Sequence, residues 1–106
     1  MSIGVLLHSG FISSLPASKK GDPSFDPWYV LKQKDEVINF VDENGQKRSL
    51  NSLLIEAETT DLYININGYI LYVPAGQSRN YDYEKINSIQ VLNEKGTKLR
   101  WSGLFY

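Results

Sequence analysis

One dipeptide constrains this chain more than any other feature. Asn67-Gly68 stands between the runs Leu62-Tyr-Ile-Asn-Ile66 and Tyr69-Ile-Leu-Tyr-Val73. A type I′ turn needs positive φ at both central residues, which Asn and Gly adopt at little cost, and it returns the chain directly onto itself. A two-residue loop pairs Ile66 with Tyr69, Ile64 with Leu71 and Leu62 with Val73. Because side chains alternate along a strand, these six share one face. The opposite face then carries Asn65 beside Ile70 and Tyr63 beside Tyr72. A slip of one residue would scramble that sorting. With both faces apolar, something must cover the second one: another sheet or the N-terminal segment in one reading, a neighbouring subunit in the other.

The same logic extends along the chain. Trp28–Lys32 and Val37–Val41 read as strands, Asp42-Glu-Asn-Gly45 as a turn whose hairpin register is ambiguous, and Gln46–Leu50 as the strand after it. Asn51–Glu58 fits a helix through Leu53, Leu54 and Ala57. Strict alternation of Leu53, Ile55 and Ala57 with Leu54, Glu56 and Glu58 favours a strand. Pro74-Ala75-Gly76 closes one strand and Ser78–Tyr83 begins another. A three-residue loop at Glu94-Lys95-Gly96, with Gly96 left-handed, predicts a last hairpin pairing Asn93 with Thr97. That register sets Val91 against Leu99 and Ile89 against Trp101 on the buried side, with Gln90 against Arg100 and Leu92 against Lys98 outside. The run Gly103–Tyr106 stays strand-like, so this end is expected inside a sheet.

Residues 1–27 differ from the rest. Gly4, Gly10, Pro16, Gly21, Pro23 and Pro27 break every element longer than a short strand, yet Ile3, Val5, Leu6, Leu7, Phe11 and Ile12 are too apolar for a solvated tail. An arm folded across its own domain and an arm packed on a neighbouring subunit account equally well for this pattern. The expected fold is therefore all-β, a small antiparallel β-sandwich or barrel of roughly seven to nine short strands over residues 28–106, preceded by an irregular N-terminal arm over residues 1–27.

Composition narrows function mainly by exclusion. The chain has 106 residues, enough for one core. Its formal net charge of −1 provides no broad field to attract nucleic acid or an anionic membrane. There is no cysteine, which removes thiolate metal sites and fits a reducing compartment. No apolar run approaches the ~20 residues that span a bilayer. No Lys or Arg precedes Lys19, so a signal peptide is not expected.

Reactive constellations are equally sparse. His8 is the lone histidine and cannot build a His-rich zinc site. Asp22 and Asp26, like Asp42, Glu43 and Asn44, lack the alternating spacing of a calcium loop and read as turn residues. Glu56 and Glu58 lie about 7 Å apart by strand rise, a separation compatible with glycoside hydrolysis if a cleft surrounds them. Gly-rich phosphate loops are absent. No catalytic residue, cofactor or metal site is expected. The aromatic residues, seven Tyr, four Phe and two Trp, favour contact surfaces instead. Trp28, Arg100, Trp101 and Tyr106 could stack a ligand, although Arg100 reads more simply as a charged guard on the outer face of an edge strand. Ile3, Val5, Leu6, Leu7, Phe11, Ile12, Tyr63 and Tyr72 are the candidate interface.

From about Thr59 to Tyr106 the chain resembles small virion structural proteins of tailed bacteriophages infecting Gram-positive bacteria. The features concerned are Leu62-Tyr-Ile-Asn-Ile-Asn67, Val73-Pro-Ala-Gly76 followed by Ser78, Ile86-Asn-Ser-Ile-Gln-Val-Leu92 and Gly96-Thr-Lys-Leu-Arg-Trp-Ser-Gly-Leu-Phe-Tyr106. The resemblance implies a capsid, neck or tail component assembled in the host cytoplasm. Its partners would be other virion proteins and copies of itself, with no nucleic acid and no membrane. The rival expectation is a carbohydrate- or receptor-binding module, which requires a planar row of exposed aromatics drawn from Trp28, Tyr29, Trp101 and Tyr106. An enzyme is third, and would need a concave site around His8 or the Glu56/Glu58 pair.

Overall fold

The computed structural model describes residues 10–14 and 26–105. Every regular element among them is a β-strand: β1 (Gly10–Ser13), β2 (Tyr29–Val30), β3 (Glu36–Asn39), β4 (Leu50–Ala57), β5 (Leu62–Ile66), β6 (Tyr69–Val73), β7 (Ser78–Ile86), β8 (Ser88–Val91) and β9 (Lys98–Phe105). Two antiparallel sheets result. Sheet A runs β1-β9-β4-β7, with β2 also paired to β9, and sheet B runs β3-β8-β5-β6. Because β1 lies against Ser102–Phe105 and β2 against Lys98–Leu99, these two short strands share one side of β9 end to end. The fold is an all-β sandwich, as the strand pattern predicts.

The strand order has a simple physical origin. Two long antiparallel ribbons each bend across the molecule, so that one half of each ribbon lies in sheet A and the other half in sheet B. In the first ribbon, β4 pairs β7, β5 pairs β6, and the two crossing segments bond to each other where Ala57 N–H donates to the Gln77 carbonyl at 2.9 Å. In the second, β2 pairs β9 and β3 pairs β8. Its crossing segments are held by Leu31 N–H to Thr97 O (2.9 Å), Gly96 N–H to Leu31 O (3.0 Å) and Asp35 N–H to Asn93 O (3.3 Å). This double wrapping is the jelly-roll arrangement.

Alternation fills the space between the sheets. Leu53, Ile55 and Ala57 from β4, and Leu99, Trp101 and Phe105 from β9, meet Leu62, Ile64, Ile66, Val73, Ile89 and Val91 from sheet B. Leu31, Phe40, Leu50 and Ile86 close the ends. Fully burying each such aliphatic chain contributes roughly 1.5–3 kcal/mol, which makes the stripe across both sheets the main source of stability. Asn51–Glu58 falls within or beside β4, so alternation prevails over the helical spacing.

The Asn67-Gly68 hairpin has the register expected of it in all five pairs from Ile66↔Tyr69 to Leu62↔Val73, with φ of 54° and 83° at the turn. Within the inward-facing six, Tyr69 sits at the rim, 55% exposed, and packs edge-on against Tyr81 of the other sheet with ring centroids 5.9 Å apart. The second expected hairpin is corrected. Gly96 is left-handed (φ 92°), but β8 and β9 lie in different sheets. Ile89 and Val91 therefore oppose Ile38 and Glu36, Trp101 and Leu99 oppose Ile55 and Ala57, and Gln90 and Arg100 point out of opposite faces.

Gly10–Ser13, within the segment read as an irregular arm, pairs in cis with β9 and buries Ile12 in the core. Ile12 is thus a core residue and is unavailable as an interface residue. Phe11 is 64% exposed opposite Leu104 on the outer face. Ile3, Val5, Leu6, Leu7 and His8, along with Asp22 and Tyr106, lie outside the described residues.

Candidate functional site

The two outward faces of the sandwich have different chemistry. On sheet B, Tyr63 and Tyr72 stand side by side on β5 and β6 because the hairpin register makes them a cross-strand pair. Their rings lie 5.3 Å apart at 31°. Both are nearly half exposed, as are Ile70 and Val37 on the same face. Among the described residues nothing covers this surface: of the expected covers a second sheet is not found there, and most of the N-terminal segment lies outside the described residues. The second sheet packs only on the inner face.

This aromatic pair is held in place at its base. Tyr72 Oη donates to Asp61 Oδ2 at 3.1 Å, and Asp61 Oδ1 accepts Ala75 N–H at 2.8 Å. Asn93 links the same corner to β8 by donating Nδ2 to the Asp61 carbonyl (2.8 Å) and accepting Tyr63 N–H on Oδ1 (3.1 Å). The hydrogen bond to Asp61, followed by desolvation, raises the Tyr72 phenol above its ordinary value, so it remains a neutral donor. Toward β3 the face becomes a shallow polar depression of ≈ 280 Å³ lined by Val37, Asn65, Ser88 and Gln90.

The outer face of sheet A is ion-paired. Arg100 lies opposite Glu56 in the β4–β9 register and binds its Oε2 at 3.0 Å, while its guanidinium carbon sits 4.4 Å above the Trp28 ring. Asp26 accepts Lys98 Nζ at 2.8 Å and Trp28 N–H at 3.0 Å; the lysine contact is foremost in holding its carboxyl below the usual range. Around them is an open groove of ≈ 560 Å³, also lined by Glu58, Gln77, Ser78 and Arg79.

Of the three candidate stacking residues that are described, the structure brings Trp28 and Arg100 together, and Tyr106 lies outside the described residues. Trp101 points into the core at 8% exposure, edge-on to Tyr29 with centroids 5.1 Å apart, so it cannot stack a ligand. Nor is Arg100 on an edge strand, because β9 runs between β1/β2 and β4. Glu56 and Glu58 both line the groove, but the Glu56 carboxylate is already engaged by Arg100. Asp42 receives Asn44 N–H, Gln46 N–H and Arg48 Nε, all within 2.9 Å, and these donors hold its carboxyl below the ordinary value. It closes a turn, and no group of three or more metal-ligating side chains occurs among the described residues.

Sequence reasoning missed one buried carboxylate. Glu36 is buried, accepting the Tyr29 hydroxyl and, at 2.6 Å, Lys32 N–H. No spacing in the sequence marks it, because its partners come from the β2–β3 crossing.

The class these observations define is a jelly-roll β-sandwich with one aromatic face that no described residue covers and one face that carries ion pairs. No family model matches the chain, and no curated protein matches it. Among solved structures it is similar to a putative ethanolamine utilization protein Q from Salmonella typhimurium LT2. The two share 14% identity over 90% of this chain and 94% of that one, with a TM-score of 0.43.

Proposed function

We propose that this protein is a non-enzymatic assembly component of a tailed-bacteriophage virion, serving in capsid decoration, neck or tail. It would act through contacts with other virion proteins and with copies of itself, without a cofactor, after assembly in the host cytoplasm. The observation that carries this reading is the uncovered Tyr63/Ile70/Tyr72 face. Side chains of this type are enriched at protein contact surfaces, and the Tyr72 ring, already tied by its hydroxyl to Asp61 and packed against Tyr63, loses little freedom on binding. The resemblance of the Thr59–Tyr106 half to phage virion proteins supplies the setting. A virion needs many modest contacts multiplied by symmetry, which a rigid sandwich can supply.

The glycan-binding alternative needs a planar row of exposed rings. Trp101 is in the core and Trp28 carries Arg100 on one face, so that row is not assembled from them. The test of the assembly reading is immunoblotting of density-purified phage particles, with wild type and Tyr63→Ser/Tyr72→Ser each supplied in trans. Wild type should band with particles, and the variant, folded by circular dichroism, should stay soluble. A wild-type chain absent from particles, or a variant that bands equally well, overturns the reading.

A further inference from the structure

The edge of sheet B next to the aromatic face is unusual. Among the described residues β6 is the terminal strand of that sheet. In a two-residue hairpin the closing pair exchanges both backbone hydrogen bonds and the pattern alternates from there. Tyr69, Leu71 and Val73 therefore spend their N–H and C=O groups on β5, whereas Ile70 and Tyr72 aim theirs away from it. No turn or loop backbone bond of the described residues reaches Ile70 or Tyr72. Proteins commonly protect such an edge with lysine, proline or a bulge. The neighbouring edge, β7, carries Arg79, Asp82 and Lys85, but no residue from Leu62 to Ser78 is charged.

We propose, building on the assembly reading, that two copies of this chain join β6 to β6 as an antiparallel pair about a two-fold axis at Leu71, merging their two four-stranded B sheets into one. The register follows from the free groups. Centring on Leu71 sets Ile70 opposite the partner's Tyr72 and Tyr72 opposite the partner's Ile70. Both pairs then exchange N–H···O bonds. Shifting the axis to Tyr72 would oppose Ile70 to Pro74, which has no N–H. The favoured register also places Tyr63, Tyr72 and the partner's Ile70 side by side, making one continuous apolar face.

Charge fits the same arrangement. The strand itself is neutral, so two copies meet without like-charge repulsion. Asp61 is fixed at the Pro74 end by Tyr72 and Ala75, and Lys85 lies at the Gly68 end, where Asn67 Nδ2 donates to its carbonyl at 3.0 Å. Antiparallel pairing brings the Asp61 end of each copy to the Lys85 end of the other. Arg79, also near the Asp61 end, is turned along its own strand onto Gln77 and the Ser78 carbonyl. A two-fold interface of this type is closed and self-complementary.

The test is sedimentation velocity and cross-linking on the full chain. Wild type should sediment as a dimer at micromolar concentration. Ile70→Lys/Tyr72→Lys and Ile70→Glu/Tyr72→Glu, which change half-exposed side chains, should each stay folded and monomeric, and mixing them should restore a dimer. With no native cysteine present, mild oxidation should cross-link Leu71→Cys and leave Val37→Cys largely monomeric. A wild-type monomer at all concentrations, failure of the mixed variants to re-associate, or equal cross-linking at both cysteines overturns the pairing. Deleting residues 2–9 should leave the dimer intact. Its loss would make the N-terminal segment the occupant of the edge and overturn the proposal. A chain that bands with particles as a monomer defeats this inference alone, while a stable dimer absent from particles defeats the virion reading alone.

Discussion

Two turns of this molecule carry nearly the same local chemistry and do different work. Asn67-Gly68 and Glu94-Lys95-Gly96 both offer a left-handed glycine between apolar, alternating runs, with φ of 83° and 92°. At the first, the flanking strands pair with each other and the turn is held by its own side chains, Gly68 N–H donating to Asn65 Oδ1 at 2.9 Å. At the second, Thr97 N–H reaches back to Glu94 O at 3.2 Å, but the flanking strands diverge into separate sheets. That corner is clamped by the backbone of Leu31, on a segment more than sixty residues earlier in the chain. A local turn signal specifies that the chain changes direction there. Whether it returns to the same sheet depends on which strand offers the better neighbour.

The sharpest way to break this contrast is all-or-none. Asn65→Cys/Ile70→Cys places two thiols on a directly opposed, non-hydrogen-bonded pair, where Cα atoms are about 4.5 Å apart, and should close a disulfide readily. Gln90→Cys/Arg100→Cys should form no intramolecular disulfide, because those residues leave opposite faces of the sandwich; Ellman titration after oxidation distinguishes the two. A closed Gln90/Arg100 pair would restore the hairpin and remove the crossing.

Next in size is Leu31→Ala. This residue is 1% exposed, and its packed side chain anchors the segment whose main chain clamps the Gly96 corner, so truncation should cost about 2–5 kcal/mol in urea unfolding while leaving the backbone bonds themselves in place. A loss below about 1 kcal/mol would mean that burial of this side chain is not what anchors the clamping segment. Smaller effects belong to the glycines. A Cβ at Gly68 or Gly96 meets nothing within 4 Å, so alanine at either should cost only the left-handed backbone penalty, about 1–2 kcal/mol. Equal losses at both would show that the turns differ in their neighbours and not in intrinsic strain.

The smallest effect is a pH response that is strongest on the clamped side, although the Tyr72 phenol of the hairpin is raised as well. Burial first, then the hydrogen bond to Glu36, pushes the Tyr29 phenol up to about 12 from 10.0. Between those values the unfolded chain releases a proton that the folded chain keeps. This stabilisation is therefore full below pH 10 and is lost as pH rises toward 12. An absorbance titration at alkaline pH should show a last phenol, later than the raised Tyr72, that disappears in Tyr29→Phe. Failure of that variant to remove the late step would assign it to another tyrosine.

The candidate surfaces divide along the same line. The Tyr63/Tyr72 pair could be read from the sequence because a two-residue turn dictates its register. That no described residue covers it could not be read, since exposure depends on where the other sheet sits. Trp28 and Arg100 are 72 positions apart, and only the β2–β9 pairing and the roll of the ribbon bring ring and guanidinium together. Trp101, adjacent to Arg100, faces the core for the plain reason that neighbours on a strand point to opposite sides.

By itself the sequence determined the all-β character, the alternation that makes each strand two-faced, and the pairing across Asn67-Gly68. Each of those follows from forces acting over a few residues: steric limits on φ, the period of the pleat, and the difference in burial between apolar and polar side chains. Tertiary structure alone decided which strands became neighbours across the two sheets, which face stayed open and which edge was left unpaired. Those outcomes depend on how two ribbons wrap to remove the largest apolar area from water, a property of the whole chain and not of any short stretch of it.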